Sequence, residues 1–594
     1  MNELKKLNAL MDGKCPVTEE VKVKCFVDGS YGEITEKSTD VKAEIYTRTG
    51  VVMADIPAGF LYELPASECV VDYAIAKYHT KIAFRDCILT VSAESGNPYL
   101  DRDDPWFIYG DEWLMRHLNS EAFMKNCRIK RLRAPKHLLT REEPYGDLDI
   151  KAGYDVYRYT FFVEDFAFPY YEIAVVRAKD DMKNFALFVM KSQTENCGVM
   201  DGIVESFTRF EPKGEARSYF HAEKPQGNPN WNQETKDYFH SLYARKHPAW
   251  GVFSYSMPGL AEELDENSEG YRKFYNNSVK IQAVIEKGWG KKFDIYPTYT
   301  HIGKGTDSER YAPHHFPSKM AAALADGDGK NGKPVLQFTY QFTLNNNLVF
   351  EDQTPMFDIL RGKYDEQFRQ LARDIKAYRH PVLFRLNNEM NTDWTSYCGM
   401  MTLLDPDIFN ETWIRLYNIF EEEGVDNCIW IWNPIATTCP YCSWGEDLCY
   451  FPGVDYVQLL GGTSYEMNNY PAETAPKQVV GFRPHYEKLY RKNSRNFTDW
   501  CMIISEFACG AGGSTSGELG RNIPVQANWV KEMFECLNAD PQEEWVKQIK
   551  GAVWFNCDDI FDGLVGNRLR FIDPDGKGNE ATVEEFRKGF ANAK

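Results

Sequence analysis

Residues 381–389 read PVLFRLNNE, a continuous apolar run that ends abruptly in polar residues. A strand that is apolar on both faces is typical of a parallel sheet covered by helices on both sides. Seven more runs of this kind occur in the same part of the chain, and helix-period segments separate several of them. The runs are WGVFSYS (250–256), FDIYPTYT (293–300), PVLQFTYQF (334–342), CIWIWNP (428–434), YVQLLGGTSY (456–465), CMIISEF (501–507) and GAVWFN (551–556); the helical segments are 364–378, 407–424, 485–493 and 524–538. Eight strand–helix repeats predict a (β/α)8 TIM barrel, an α/β fold.

The residues before about 215 have a different pattern. Short runs rich in β-branched and aromatic residues alternate there with turn sequences, which is typical of β-sandwich-like domains. The runs are 21–27, 41–47, 81–93, 154–164 and 170–178, and residues 107–125 have a helical pattern. We predict a β-sandwich-like domain at 1–100, a second β-rich region at 101–215 and the barrel domain at 216–594. Accessory sheets of this kind often bind carbohydrate, although an aromatic stripe is more often part of a core.

Composition narrows the possible partners. The 594 residues carry a net charge of −19, which argues against nucleic-acid binding, and aromatic residues make up 14%, which suits stacking on sugar rings. No apolar run reaches about 18 residues, so no membrane partner is predicted. The opening residues MNELKKLNALMDGK lack the apolar core of a secretory signal. Many cysteines lie in apolar stretches of sequence, where we expect reduced, buried thiols. We therefore expect a cytoplasmic protein, or a secreted one if a signal has been removed.

Two glutamates stand where a barrel carries its chemistry, at the carboxyl ends of its strands. Glu389 ends the fourth run and Glu506 ends the seventh. Strands four and seven face each other across a barrel mouth. Glycoside hydrolysis uses such a pair of carboxyl groups, which stand about 5–5.5 Å apart in a retaining enzyme. One attacks the anomeric carbon and the other protonates the leaving oxygen, so the pair predicts a catalytic site.

Polar and aromatic neighbours fit this chemistry. The Asn388 amide can donate a hydrogen bond to a sugar 2-hydroxyl, and Arg385 can hold a carboxylate charged. Tyr465, at the end of the sixth run, can hydrogen-bond the nucleophile. Sugar platforms are predicted among the tryptophans at strand ends, for which core packing is equally compatible: Trp394, Trp432 and Trp554.

The stretch PVLFRLNNEMNTDW (381–394) resembles the R-x-x-H-E-M-N-G-x-W segment of glycoside hydrolase family 26, the β-mannanase group of the retaining clan A. Three other stretches are similar to segments of that family: 412–434, 451–465 and 502–507. The resemblance covers about 250–590. It implies that Glu389 is the general acid/base, that Glu506 is the nucleophile and that Tyr465 lies near the nucleophile. It also implies sugar contacts for Trp394 and Trp554.

Two positions depart from the family pattern. Asn388 stands where the family has histidine, and Thr463 stands where it has aspartate. The resemblance implies a retaining endo-β-glycosidase acting by double displacement on β-1,4-mannan or a related hemicellulose. Because both departures lie near the scissile sugar, mixed-linkage glucan, β-1,3-glucan and xylan remain open as substrates.

Two other classes of protein compete with this hypothesis. A non-catalytic carbohydrate-binding protein could use the same barrel, although both glutamates are retained. A phosphate-handling lyase would need a glycine-rich phosphate loop, for which ACGAGGSTSG (508–517) is a candidate. We find no nucleotide-binding motif and no complete set of metal ligands, so no cofactor and no metal are predicted. The expected partner is a polysaccharide or oligosaccharide, and the oligomeric state is left open.

Overall fold

The computed structural model describes most of the barrel region and parts of the N-terminal region. The described residues are 22–27, 45–47, 59–65, 69–76, 79–84, 87–94, 110–133, 153–178, 185–195, 199–206, 208–210, 222–254, 269–303, 316–318, 321–322, 325, 334–344, 352–438, 445–466, 480–494, 496–511, 523–561 and 564–593. Parts of the predicted N-terminal runs 21–27 and 41–47, and residues 512–517 of the glycine-rich candidate loop, lie outside them.

Within the described ranges, the N-terminal region contains two sheets and three helices. Its strands are β1 (Lys22–Val27), β2 (Ile45–Thr47), β3 (Gly59–Pro65), β4 (Cys69–Ala76), β5 (His79–Phe84), β6 (Cys87–Glu94), β7 (Ile129–Arg131), β8 (Tyr154–Val163), β9 (Tyr170–Ala178), β10 (Phe185–Ser192) and β11 (Thr208–Phe210). The helices are α1 (Gly110–Asn119), α2 (Glu121–Asn126) and α3 (Val199–Ser206). One sheet has the order β1-β3-β11, and the other has the order β2-β4-β5-β6-β10-β9-β8-β7. All pairs except β2–β4 are antiparallel, as expected of a β-sandwich-like region.

The larger sheet crosses the predicted division at residue 100. Strand β6 pairs with β10 along its whole length, from Cys87 opposite Ser192 to Glu94 opposite Phe185. Strands on both sides of residue 100 therefore share one sheet. Pairing between segments so far apart in sequence leaves no local signal in either segment, which is why the sequence pattern suggested two units.

The barrel region contains the eight predicted strands, and each lies on its predicted run. They are β12 (Ala249–Phe253), β13 (Ile295–His301), β14 (Val335–Gln341), β15 (Val382–Leu386), β16 (Cys428–Trp432), β17 (Leu459–Glu466), β18 (Met502–Cys509) and β19 (Ile549–Phe555). Their order in the sheet is β12-β19-β18-β17-β16-β15-β14-β13, and every pair is parallel. This arrangement confirms the predicted TIM barrel.

The first and second barrel strands meet where the sheet closes. The Asp294 backbone N–H donates to the Trp250 carbonyl at 2.7 Å, and the Trp250 N–H donates to the Asp294 carboxylate at 3.0 Å. A Cβ atom on Gly251 would lie 2.5 Å from the carbonyl oxygen of Ile295, which is closer than any side chain allows. Glycine is therefore required at this position for the two strands to approach.

Helices cover the outside of the barrel. They are α4 (Gln233–Ala244), α5 (Glu269–Trp289), α6 (Met356–Leu360), α7 (Asp365–Tyr378), α8 (Pro406–Glu423), α9 (Phe482–Asn493), α10 (Ile523–Leu537), α11 (Glu544–Lys547) and α12 (Glu580–Ala591), with a hairpin of β20 (Asp558–Phe561) and β21 (Leu564–Arg568) and 3-10 turns at Gly399–Thr402, Asp447–Tyr450 and Val454–Tyr456. The four predicted barrel helices are confirmed as α7, α8, α9 and α10, whereas α4, the 21-residue α5, α6 and α11 are additional. No helix in the described ranges combines the length and apolar character of a membrane span.

A buried ionic cluster joins the N-terminal sheet to the barrel. Lys191 on β10 donates to Asp405 at 2.9 Å and to Asp407 at 2.8 Å, and the Tyr171 hydroxyl on β9 donates to the same Asp405 oxygen at 2.9 Å. Burial lowers the pKa of Lys191, but the two aspartates raise it more, so the pKa lies well above its ordinary value and the ammonium stays charged. Asp405 also caps α8 by accepting from the Asp407 N–H.

Replacing Lys191 by methionine should destabilise both regions together. The variant leaves two acidic side chains in a largely dry interface without their cation, which costs about 3–5 kcal/mol of unfolding free energy. Denaturant unfolding followed by tryptophan fluorescence measures this loss. The matched control is Lys547→Met, whose lysine is half exposed beside Glu544 and should cost less than about 1 kcal/mol. If Lys191→Met loses no more unfolding free energy than Lys547→Met, the buried ionic cluster does not stabilise the contact between the two regions.

Candidate active site

A bulge in the seventh barrel strand turns Glu506 into the barrel. On β17 and β18, Gly461 lies opposite Ile503 and Gly462 opposite Ile504, but Thr463 lies opposite Glu506. One extra residue on β18 therefore precedes the glutamate. Since side chains alternate between the two faces of a strand, the extra residue places Glu506 on the inner face.

Three side chains hydrogen-bond the Glu506 carboxylate. Tyr299 and Arg385 donate to Oε2 at 2.6 and 2.8 Å, and the Tyr465 hydroxyl donates to Oε1. Arg385 also donates to the Tyr299 oxygen at 2.8 Å and to the Thr463 hydroxyl at 3.0 Å. The nucleophile candidate is thus fixed in orientation from strands β13, β15 and β17. A carboxylate is the acceptor that this set of donors requires.

The surrounding groups keep their protons. Burial raises the pKa of Tyr465 well above its ordinary value, and the charges of Glu506 and Glu389 raise it further. Burial and Glu506 likewise raise the pKa of Tyr299, and Arg385 opposes them only in part. Burial lowers the pKa of Arg385, but Tyr299 and both glutamates raise it above its ordinary value. Both tyrosines therefore donate as neutral phenols, and Arg385 remains a cation.

Glu389 lies in a tightly held turn after the fourth strand. Its φ is +58°, and that of Asn387 is +47°, a conformation that costs a non-glycine residue about 1–3 kcal/mol. The Glu389 N–H donates to the Asn433 carbonyl at 2.9 Å, and the Thr392 hydroxyl donates to the Glu389 carbonyl at 2.8 Å. The indole N–H of Trp394 donates to the Glu389 carboxylate at 3.1 Å. Strain held in this way is typical of a functional position.

The two glutamates share one polar cluster. Asn433, whose carbonyl accepts from the Glu389 N–H, donates to the Thr463 hydroxyl at 3.0 Å, and that hydroxyl also accepts from Arg385, the partner of Glu506. Glu389 and Glu506 therefore lie at the same mouth of the barrel. Asn388 lies beside them, and its side-chain oxygen accepts from Gln341 at 2.8 Å. The structure therefore brings together five of the predicted polar residues from strands four, six and seven.

The predicted tryptophans divide into two groups. Trp394 is 47% exposed and contacts the acid candidate. Trp432 and Trp554 are 1% and 0% exposed, and their indole N–H groups donate to the carbonyls of Tyr450 and Leu569. Trp432 packs against Phe451 and Phe497, and Trp554 packs against Phe507 and Trp529. Both rings are therefore core residues, and the prediction that they stack on sugar does not fit the structure.

The inward position next to Trp554 is occupied by Phe555. This partly buried ring stacks on Phe253 at 5.3 Å and meets the Tyr465 ring edge-on at 5.9 Å. Phe253 in turn contacts the Tyr299 ring at 4.6 Å. These four rings form an aromatic cluster beside Glu506, to which both Tyr299 and Tyr465 donate hydrogen bonds.

Three of these contacts were missed by the sequence analysis: Tyr299, Gln341 and Phe555. Tyr299 lies near the end of the second apolar run, and Gln341 ends the third barrel strand. Their position at the carboxyl ends of strands was the available signal, because that is where a barrel gathers its functional side chains.

Replacing Trp394 and Trp432 by alanine should give opposite results. Trp394→Ala removes an exposed ring and a hydrogen bond to Glu389, so we expect weaker substrate binding, about tenfold in KM, with an unchanged melting temperature. Trp432→Ala empties a core position and should cost about 3–5 kcal/mol of stability. Steady-state kinetics and thermal unfolding of both variants check this. A destabilised Trp394→Ala with unchanged KM would contradict the assignment.

The described residues include no group of three His, Cys, Asp or Glu side chains that could hold a metal ion. Near the C-terminus, residues 573–584 have carboxylates at spacings that resemble a calcium-binding loop, but Asp573 pairs with Arg570 and Asp575 pairs with Lys577. The carboxylates of that stretch are thus neutralised by basic side chains of the same segment.

A TIM barrel with two glutamates at the ends of strands four and seven, one held by two phenols and a guanidinium, defines a glycoside hydrolase. Residues 339–506 match the model of Glycosyl hydrolase family 26, and this range includes both glutamates. This match covers the segment of the barrel that carries both glutamates, and it agrees with the resemblance to glycoside hydrolase family 26.

Individual relatives were found by sequence and by structure. Endoglucanase H of Acetivibrio thermocellus is 26% identical over 300 residues, which cover 48% of this chain and 28% of that protein. The chain therefore spans little more than a quarter of that relative. The structure of Bacillus subtilis mannanase man26 is 16% identical and covers 61% of this chain and 93% of its own, with a TM-score of 0.35. A Cellulomonas fimi endo-β-1,4-mannanase double mutant is 14% identical and covers 62% and 76%, with a TM-score of 0.39.

Proposed function

We propose that this protein is a retaining endo-β-glycosidase that cleaves β-1,4-mannan or a related hemicellulose. One observation carries the proposal: Glu506 is buried among three hydrogen-bond donors while Glu389 occupies the same mouth in a more open position. A carboxylate fixed in orientation suits nucleophilic attack. A partly exposed carboxyl group next to the leaving oxygen suits proton transfer.

The reaction proceeds in two displacements. In the first, a Glu506 oxygen bonds to the anomeric carbon as the glycosidic C–O bond breaks, and Glu389 gives its proton to the leaving oxygen. In the second, Glu389 takes a proton from water, the water oxygen bonds to the anomeric carbon, and the Glu506 ester bond breaks. The sugar leaves with its original configuration, and both glutamates return to their starting states.

Hydrogen bonds to Glu506 orient its carboxylate for attack on the anomeric carbon. Tyr299 and Arg385 hold one carboxylate oxygen, and Tyr465 holds the other. Because these groups are fixed by the barrel strands before substrate binds, no reorganisation of dipoles is needed during the reaction. We assign to the Asn388 amide a hydrogen bond to the sugar 2-hydroxyl, a contact that strengthens in the transition state.

The sugar is inferred from the resemblance of the sequence to its family. Mannan is favoured by the family-like stretches around Glu389 and Glu506. A β-glucan is the second candidate, because Asn388 replaces the family histidine beside the acid and because one sequence relative carries the name endoglucanase. Xylan is the third hemicellulose that the same chemistry accommodates.

A polymer panel tests the proposal. Wild-type protein is incubated with mannan, glucomannan, mixed-linkage glucan, β-1,3-glucan and xylan, and the products are separated by size. We expect one polymer, mannan first, to yield oligosaccharides, as an endo-acting enzyme requires. Intact polymers throughout, together with tight binding of an uncleaved oligosaccharide, would instead support a carbohydrate-binding protein.

A further inference from the structure

Gln341 contacts the residue that precedes the acid. It is the last residue of β14, the barrel strand next to β15, and its side-chain nitrogen lies 2.8 Å from the side-chain oxygen of Asn388. Asn388 is 5% exposed, so water does not compete effectively for this contact. An asparagine amide has one donor end and one acceptor end, and whichever end faces Gln341 decides what the other end offers.

Tyr397 and Gln341 hold Asn388 at two different groups. The Tyr397 hydroxyl donates to the Asn388 backbone carbonyl at 2.7 Å, which uses the only proton of the phenol. The Gln341 side-chain N–H donates to the Asn388 side-chain oxygen at 2.8 Å. Because Gln341 engages the oxygen of the Asn388 amide, the nitrogen of that amide faces away from Gln341.

We propose that Gln341 is a positioning residue that fixes the amide of Asn388 with its donor end toward the substrate 2-hydroxyl. This inference rests on the proposed function and extends it to a residue that itself needs no contact with substrate. It also specifies the substrate class: a β-linked sugar whose C2 carries a hydroxyl that accepts a hydrogen bond.

Two variants disturb the arrangement in different ways. Gln341→Leu keeps the approximate size of the side chain but removes the donor, so the Asn388 amide is free to rotate. Gln341→Glu offers only acceptor oxygens when ionised, so Asn388 must turn its nitrogen toward residue 341 and its oxygen toward the substrate. Gln337→Leu is the matched control, because Gln337 lies on the same face of the same strand and contacts the Ser505 carbonyl rather than Asn388.

The test compares each variant on an aryl β-glycoside and on its 2-deoxy analogue. Gln341→Leu and Gln341→Glu should lower kcat on the 2-hydroxy substrate about 10- to 100-fold and leave that on the 2-deoxy substrate within about threefold. Asn388→Ala should show the same selectivity, and adding Gln341→Leu to it should change little. Gln337→Leu should affect both substrates by the same factor.

Two failures are distinguishable. If the wild type cleaves the aryl glycoside but the Gln341 variants lose equal activity on both substrates, or lose none, the positioning role of Gln341 is overturned. If the wild type cleaves no β-glycoside at all, the proposed function itself fails, and this inference fails with it. Thermal unfolding of each variant shows whether a loss reflects a damaged fold.

Discussion

Glu506→Ala should lower turnover of the preferred polymer by at least about four orders of magnitude. The variant removes the atom that bonds to the anomeric carbon, so no covalent intermediate can form. Steady-state kinetics with an activated aryl glycoside measure the loss. Added azide should restore part of the reaction, because the small anion fits where the carboxylate stood. Its attack from that face should give the α-glycosyl azide.

The matched control is Glu466→Ala. Glu466 ends the neighbouring strand and is 8% exposed, as Glu506 is, but it accepts from the Val480 N–H and contacts His485 rather than the barrel interior. We expect less than a tenfold loss there. The thermal unfolding of both variants is measured as well. Glu506→Ala leaves the fully buried Arg385 without its carboxylate partner, which can destabilise the fold. Activity retained in a folded Glu506→Ala protein would show that the nucleophile is another residue.

Glu389→Ala should discriminate between substrates by their leaving groups. Polymers and unactivated glycosides need protonation of the leaving oxygen, so their kcat/KM should fall about 10²- to 10⁴-fold. Dinitrophenolate departs from a dinitrophenyl glycoside without being protonated. The kcat/KM of the variant on that substrate should therefore stay within about tenfold of the wild-type value. Its kcat should fall, because water is no longer activated in the second step, and a burst of dinitrophenol should precede slow turnover.

Azide separates the two glutamates further. In Glu389→Ala it should attack the glycosyl-enzyme intermediate and give the β-glycosyl azide, the opposite anomer from the Glu506→Ala product. An equal loss on activated and unactivated substrates in Glu389→Ala would mean that Glu389 is not the acid. Glu506→Ala provides the contrast, because it should lose both classes of substrate equally.

The barrel was predictable because its strands are buried on both faces. Such strands appear in the sequence as continuous apolar runs, and all eight strands could be located from these runs. The same property hides which residues face inward, since a run without alternation gives no sign of its orientation. Trp554 and Phe555 are equally apolar neighbours, and only the folded register places Phe555 at the site and Trp554 in the core.

Part of the site depends on pairings between distant segments. Tyr299 reaches Glu506 across 207 residues of sequence, and Gln341 reaches Asn388 across 47. The bulge that turns Glu506 inward is a shift in register between two strands, which has no local signature in MIISEF (502–507). Position at strand ends gave Glu389, Glu506, Asn388, Arg385 and Tyr465, but their partners required the three-dimensional structure.

The central claim is that Glu506 forms a covalent bond with the sugar. The direct measurement incubates the wild type with a 2-deoxy-2-fluoro glycoside bearing a dinitrophenyl leaving group, in the sugar series that the polymer panel selects. The fluorine slows both steps, and the activated leaving group preserves the first, so the intermediate accumulates. Peptide mass spectrometry should find one sugar, attached to Glu506. A label on a different carboxylate, or hydrolysis with inversion and no label, would contradict the account.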